Sequence, residues 1–317
     1  MHRLSLDRIA AASAQIDPVF LHTPQFHAES LDERLGCRLV VKVETINPIR
    51  SFKGRGACHF VAQVTDTAPL VCASAGNFGQ AMAYACRRRG IPLIVYASVH
   101  ANPLKLTRMR QLGAEVRLAG ADFDAAKDEA DAVAARDGLR LVVDGLEPAI
   151  AEGAGTMGVE LTAGGMALDA VLLPLGNGAL ATGVGRWVKA MQPATQVVAV
   201  AAAGAPCMVE SWASGAQLSY PTMATIADGI GVRVPIAEAV ADMHGTVDAT
   251  QLVSDDQILA AMQLLHAHTG LVVEPSGAAG VAALLADPSR YAGQTVATVL
   301  CGGNLTPAQM GAWLSAE

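Results

Sequence analysis

Val171-Leu172-Leu173-Pro174-Leu175-Gly176-Asn177-Gly178-Ala179-Leu180 reads as a buried strand, a glycine-rich turn and the start of a helix. A run of branched apolar residues without polar alternation belongs to a strand covered on both faces. The turn after it then presents backbone N–H groups at a helix N-terminus, where aligned amides and the helix dipole favour an anion. The pattern occurs a second time: the apolar run 70–73 leads into Ser74-Ala75-Gly76-Asn77-Phe78-Gly79-Gln80 and a helical-looking segment, 81–89. Further apolar runs at 39–43, 93–96, 116–118, 141–143, 197–200 and 296–300 alternate with helix-like segments. That alternation predicts an α/β protein whose parallel sheets are covered by helices.

Upstream of both turns stands Asn47-Pro48-Ile49-Arg50-Ser51-Phe52-Lys53-Gly54-Arg55-Gly56-Ala57. It puts a lysine between an aromatic residue and a glycine near the start of a helix. A protonated amine is a poor nucleophile, so a lysine that bonds to a carbonyl must sit where its charge is costly and the carbonyl can reach it. Phe52 supplies an apolar wall and Gly54 lets the backbone come close. A solvated surface lysine is the ordinary alternative for such a tripeptide; the two anion-binding turns shift the reading toward a covalent handle.

The chain of 317 residues is 52% hydrophobic and carries a net charge of -7, which argues against a nucleic-acid partner. Six cysteines without a Cys-x-x-Cys pair, and no secretory leader, suggest reduced thiols in a cytoplasmic protein. Their spacing indicates no metal site. The alanine-rich stretch 197–205 is too short to span a bilayer at about 20 residues, so no membrane partner is expected.

Taken in order, these segments resemble the fold-type II family of pyridoxal-phosphate (PLP) enzymes, the tryptophan synthase β-like group, and within it the serine/threonine dehydratases and serine racemases. The resemblance rests on Lys42-Val43-Glu44, Asn47-Pro48, Ser51-Phe52-Lys53, the 74–80 loop, Lys105 with Leu112-Gly113-Ala114-Glu115-Val116, Glu152-Gly153 with Gly155-Thr156, the 176–180 loop, Thr225-Ile226-Ala227-Asp228-Gly229, Glu274-Pro275 and Cys301-Gly302-Gly303-Asn304. It implies two lobes, each with a mostly parallel twisted sheet covered by helices: a small domain, 67–147, inserted into a large PLP-binding domain made of 1–66 and 148–317. A homodimer is also implied.

For the site, the resemblance implies that Lys53 is the catalytic residue and covalent handle, with Phe52 against the cofactor ring. Gly176, Asn177, Gly178, Ala179 and Leu180 would hold the phosphate, Asn77 the ring hydroxyl, and Cys301 would face the pyridine nitrogen. Ser74, Ala75, Gly76, Asn77 and Phe78 would take the substrate carboxylate; a simple helix cap by Ser74 is the structural alternative. A thiol is an uncharged, weak donor, so Cys301 would leave the ring a weak electron sink, which suits rapid loss of a β-substituent. The alternative for Cys301 is an ordinary core cysteine.

The implied activity is a dehydratase, or ammonia-lyase, that turns a small β-hydroxy amino acid into a 2-keto acid and ammonia, with Lys53 as general base. Arg50, where relatives usually have glycine, and Phe78 are expected to reshape the pocket toward a bulkier substrate such as a phenylserine or a hydroxyaspartate; Arg233 is a further carboxylate partner or a surface arginine. A serine racemase would need a second acid/base where this chain has Ala75, and the metal site of racemase-like relatives would fall on Ala201 and Cys207, so no metal is expected. A β-replacement synthase and a non-catalytic PLP-binding protein are the remaining alternatives.

Overall fold

The computed structural model describes residues 2–121 and 123–314. Among the described residues, ten strands form two sheets: β1 (Gln25–His27), β2 (Arg38–Val43), β3 (Leu70–Ala73), β4 (Leu93–Ala97), β5 (Glu115–Leu118), β6 (Arg140–Leu141), β7 (Ala170–Pro174), β8 (Gln196–Ala202), β9 (Ala249–Val253) and β10 (Thr295–Leu300). One sheet runs β1-β2-β10-β7-β8-β9 and the other β5-β4-β3-β6. Every pairing is parallel except that of β1 with β2. This is a two-lobed α/β fold. No helix among the described residues is long and apolar enough to cross a membrane.

The central strands explain their own composition. On β7, Leu172 packs with Val198, Val281 and Ala282 on one face, while Val171 and Leu173 pack with Val184 and Ala199 on the other. Both faces are therefore dry, and each fully buried side chain contributes about 1.5–3 kcal/mol relative to exposure.

The helices Lys53–Ala62, Pro148–Thr162 and Ala179–Met191 touch through their backbones. A Cβ on Gly183 would lie 1.9 Å from the Ala151 carbonyl oxygen, and one on Gly56 would lie 2.5 Å from that of Ile150. Glycine is what permits this approach. It fixes the start of the Lys53 helix relative to the turn that opens the third helix.

Beneath the Lys53 helix lies a buried charge network. The fully buried Arg55 donates to Glu44 (Nη2–Oε1 2.8 Å), to Glu160 (Nη1–Oε1 2.6 Å) and to Thr156 Oγ1 at 3.0 Å. Lys42 Nζ lies 2.5 Å from Glu160 Oε2 and donates to the Thr23 carbonyl at 2.7 Å. Although burial alone would raise it, Glu160 is held down at about 2 by Arg55 and Lys42. The motif residues Lys42, Glu44 and Thr156 thus support the helix from below.

Four elements differ from the sequence expectation. The helix expected over 81–89 runs Asn77–Arg89, because Ser74 Oγ accepts the N–H groups of Gly76 (3.1 Å) and Gly79 (2.9 Å) and caps the chain further upstream. The strand expected over 141–143 is β6, Arg140–Leu141, after which Val142 gives one N–H bond to the Val71 carbonyl at 2.7 Å and the chain turns away. Strands β1 and β9 were not anticipated, since neither carries a continuous apolar run.

Candidate active site

Lys53 is the first residue of its helix, and the chain before it is tied to the end of β10: Phe52 N–H donates to the Cys301 carbonyl at 3.0 Å, and Ser51 bridges to Gly302. The Lys53 ammonium stands 4.8 Å from the centre of the buried Phe52 ring. Its Nζ donates to the Asp144 carboxylate, both side chains being largely enclosed (14% and 9% exposed).

The turn 176–180 opens the helix Ala179–Met191, with Gly178 left-handed at φ 93°. The N–H groups of Gly176, Asn177, Gly178, Ala179 and Leu180 find no acceptor among the described residues. Gly178, Ala179 and Leu180 are buried. Buried amides without partners are costly, so this turn is a ready anion cradle. A Cβ on Gly176 would meet the Gly229 carbonyl oxygen at 3.0 Å, and one on Gly178 the Ala239 Cβ at 3.1 Å.

At the other turn, the N–H groups of Ala75, Asn77 and Phe78 are likewise unaccepted among the described residues. The Ser74 hydroxyl oxygen is engaged by the cap described above, so the helix-cap role exists in this structure. The Phe78 side chain turns into the small-lobe core with Met82 and Met109.

Asn77 is held from two sides. Its Nδ2 donates to Glu274 Oε1 at 2.6 Å, and its Oδ1 accepts from Asn304 Nδ2 at 2.8 Å. Glu274 is buried and accepts the Asn304 N–H on its other oxygen at 3.1 Å. Burial, reinforced by Asp228, pushes its pKa up to about 7, against Lys105 and the bonds from Asn77 and Asn304. The buried Cys301 thiol is pushed well above its ordinary value, chiefly by burial and then by Glu274, so it is a neutral, weak donor.

Three further contacts cross between the lobes at this cleft. Lys105 Nζ pairs with Asp228 Oδ2 at 2.5 Å, Arg108 Nη1 donates to Asn304 Oδ1 at 2.5 Å, and Arg233 Nε donates to Asp124 Oδ2 at 2.7 Å. Burial pulls Lys105 down, but Asp228 and Glu274 outweigh it and leave it raised. Arg108 is lowered, first by burial and then by Arg50 beside it. Arg50 itself is exposed and adopts a left-handed backbone, φ 50°.

The expected site residues therefore gather at the meeting of the two sheets' loops, with Phe78 contributing its backbone. Sequence reading missed Asp144, which no local motif marks and which reaches Lys53 across 91 positions. It also gave no role to the Glu274–Asn77–Asn304 chain. The run Glu274-Pro275, a carboxylate directly before a helix, was the available signal.

A two-lobed α/β fold with a lysine and an N–H cradle in the cleft defines a class of cofactor-dependent enzymes. The model of the family "Pyridoxal-phosphate dependent enzyme" matches residues 16–302, and the chain belongs to that family. It is 32% identical to the L-threonine ammonia-lyase of Thermotoga maritima over 95% of this chain and 76% of that one. Among solved structures, a threonine deaminase from T.th. matches with TM-score 0.89 and 33% identity, covering 95% of this chain and 99% of that one. Maize serine racemase matches with TM-score 0.90 and 26% identity over 98% and 96%. The chain spans 56% of the length of the biosynthetic L-threonine dehydratase of Escherichia coli, which it also matches.

The cofactor is PLP, and the residues present fit it. A phosphate suits the unpartnered amides of 176–180, and Lys53 is an amine within the same cleft.

Proposed function

We propose that this protein is a PLP-dependent dehydratase, or ammonia-lyase, that converts a β-hydroxy-α-amino acid to a 2-keto acid and ammonia. The observation that carries the reading is the placement of Lys53 Nζ over Phe52, in one cleft with the unpartnered N–H groups of 176–180 and of Ala75, Asn77 and Phe78. The first set would hold the phosphate and the second the substrate carboxylate. Asn77, fixed by Glu274 and Asn304, would meet the ring hydroxyl, and Cys301 the ring nitrogen.

PLP supplies an aldehyde for the lysine or the substrate amine and an electron sink for the bond broken at Cα. Lys53 Nζ takes the α-proton as general base. Cys301, a neutral thiol, would face the ring nitrogen as a weak donor that cannot protonate it, an arrangement that would favour departure of the β-hydroxyl over storage of charge. The product that leaves hydrolyses to the keto acid and ammonia.

Ala75 has no proton to move, which speaks against racemisation. Among bulkier substrates, a hydroxyaspartate is favoured over a phenylserine. Arg50 lies close enough to Arg108 to lower it, and neither forms an ion pair among the described residues. A second substrate carboxylate would serve both. Six buried free cysteines support a cytoplasmic setting. The division into a small domain, 67–147, and a large one from the remainder, and assembly as a homodimer, complete the reading.

The test is a keto-acid assay of the PLP-loaded protein with L-serine, L-threonine, L-threo-phenylserine and threo-3-hydroxyaspartate, followed by borohydride reduction and peptide mapping. Keto acid from at least one substrate and a label on Lys53 are expected. A protein that takes up no PLP, or takes it up without any keto acid, would refute the dehydratase assignment.

A further inference from the structure

We infer that Asp144 is a positioning residue for Lys53: it holds the free ε-amine in the cleft and disfavours the form in which that amine is bonded to a carbonyl. The inference rests on the reading of Lys53 as the cofactor-bonded lysine.

Asp144 follows β6 in a loop that cannot easily shift. Arg3 Nη2 donates to the Gly145 carbonyl at 3.1 Å and Arg3 also to that of Leu146, while Arg3 Nε is anchored on Asp242 at 2.9 Å. Gly145 is left-handed (φ 89°), and a Cβ there would lie 2.3 Å from the Asn177 carbonyl oxygen. The loop is thus wedged against the 176–180 cradle. From it, Asp144 Oδ2 accepts from Lys53 Nζ, and Oδ1 is buried with no hydrogen-bond partner among the described residues.

A buried carboxylate with one cationic partner and one idle oxygen depends on that partner, because an unpaired buried charge is strongly unfavourable. When the ammonium of Lys53 condenses with an aldehyde, a C=N bond forms and one water leaves. Of the three N–H groups one remains, and the positive charge spreads away from nitrogen. Asp144 loses most of its partner in that step; a substrate amine that takes the carbonyl carbon releases Lys53 as the neutral amine, which still donates to Asp144 and becomes its cationic partner again on taking the α-proton. The carboxylate thereby favours exchange and keeps the released amine inside the cleft.

The test compares wild type and Asp144→Asn after removal and titrated return of ligand, using pyridoxal 5'-phosphate and, in parallel, pyridoxine 5'-phosphate, whose alcohol cannot bond to Lys53. The aldehyde is expected to bind roughly tenfold more tightly to the variant, the size of one charge-assisted hydrogen bond. The alcohol is expected to bind both proteins equally, and kcat to fall in the variant. Equal tightening of both ligands would mean that Asp144 merely repels the phosphate and would overturn the inference. Weaker aldehyde binding would overturn it too, by showing that Asp144 supports the bonded form. Should Asp144→Asn fold poorly, Asp144→Ser carries the same signs. A borohydride label found away from Lys53 would remove the underlying reading as well, and is told apart by peptide mass.

Discussion

At the scale of single residues, Glu274 has the clearest pH signature. Its pKa is raised to about 7 in the fold from an ordinary 4.5, so the folded protein binds more protons than the unfolded chain between those limits. The stability tied to its protonation is complete below about 4.5 and is lost as pH rises through about 7, a change of roughly 3 kcal/mol. Glu274→Gln removes the titration, so the Tm of wild type relative to this variant is expected to fall between pH 5 and pH 8; a constant difference would refute it. Arg50 carries a different cost. Its φ of 50° favours glycine, and Arg50→Gly is expected to stabilise the fold by about 1 kcal/mol in denaturant titrations while reducing turnover of an acidic substrate. The sequence marked Arg50 as unusual but not why; the left-handed backbone supplies the physical reason glycine suits that position. Asp144 was illegible for the opposite reason, since its meaning lies in a contact between distant segments.

Among elements, the crossing of helices Pro148–Thr162 and Ala179–Met191 leaves no room for a methyl group. The atom opposing Gly183 is a backbone carbonyl oxygen, so Gly183→Ala must separate the helices. A loss of roughly 3 kcal/mol is expected in chemical denaturation, with weaker cofactor binding because the cradle moves with its helix. An unchanged midpoint would mean that the helices can slide apart freely. Elements were legible where both faces are dry: β2, β3, β4, β7, β8 and β10 each appear in the sequence as an apolar run. The edge strands of the six-stranded sheet were not. β1 is three residues long and only partly buried, and β9 carries Thr250 and Gln251 in its middle, so neither shows continuity or clean alternation. The early start of the helix Asn77–Arg89 was hidden because Ser74 and its turn read equally well as loop.

For the molecule as a whole, contacts of Lys105, Arg108 and Arg233 tie the lobes across the cleft. Asp228 is 62% exposed, so its pairing with Lys105 adds little to global stability, under about 1 kcal/mol. It still bears on how the lobes separate. Lys105→Met is expected to leave the unfolding midpoint nearly unchanged yet speed amide exchange in the helix Pro103–Gln111; equal exchange rates in both proteins would remove the pair from lobe closure. The 176–180 turn, finally, presents peptide groups and not side chains. Replacing Asn177, Ala179 or Leu180 leaves every one of those amides in place, so a scan that trims side chains one at a time would pass over this surface in silence, and drift in the local sequence need not mean drift in what it binds.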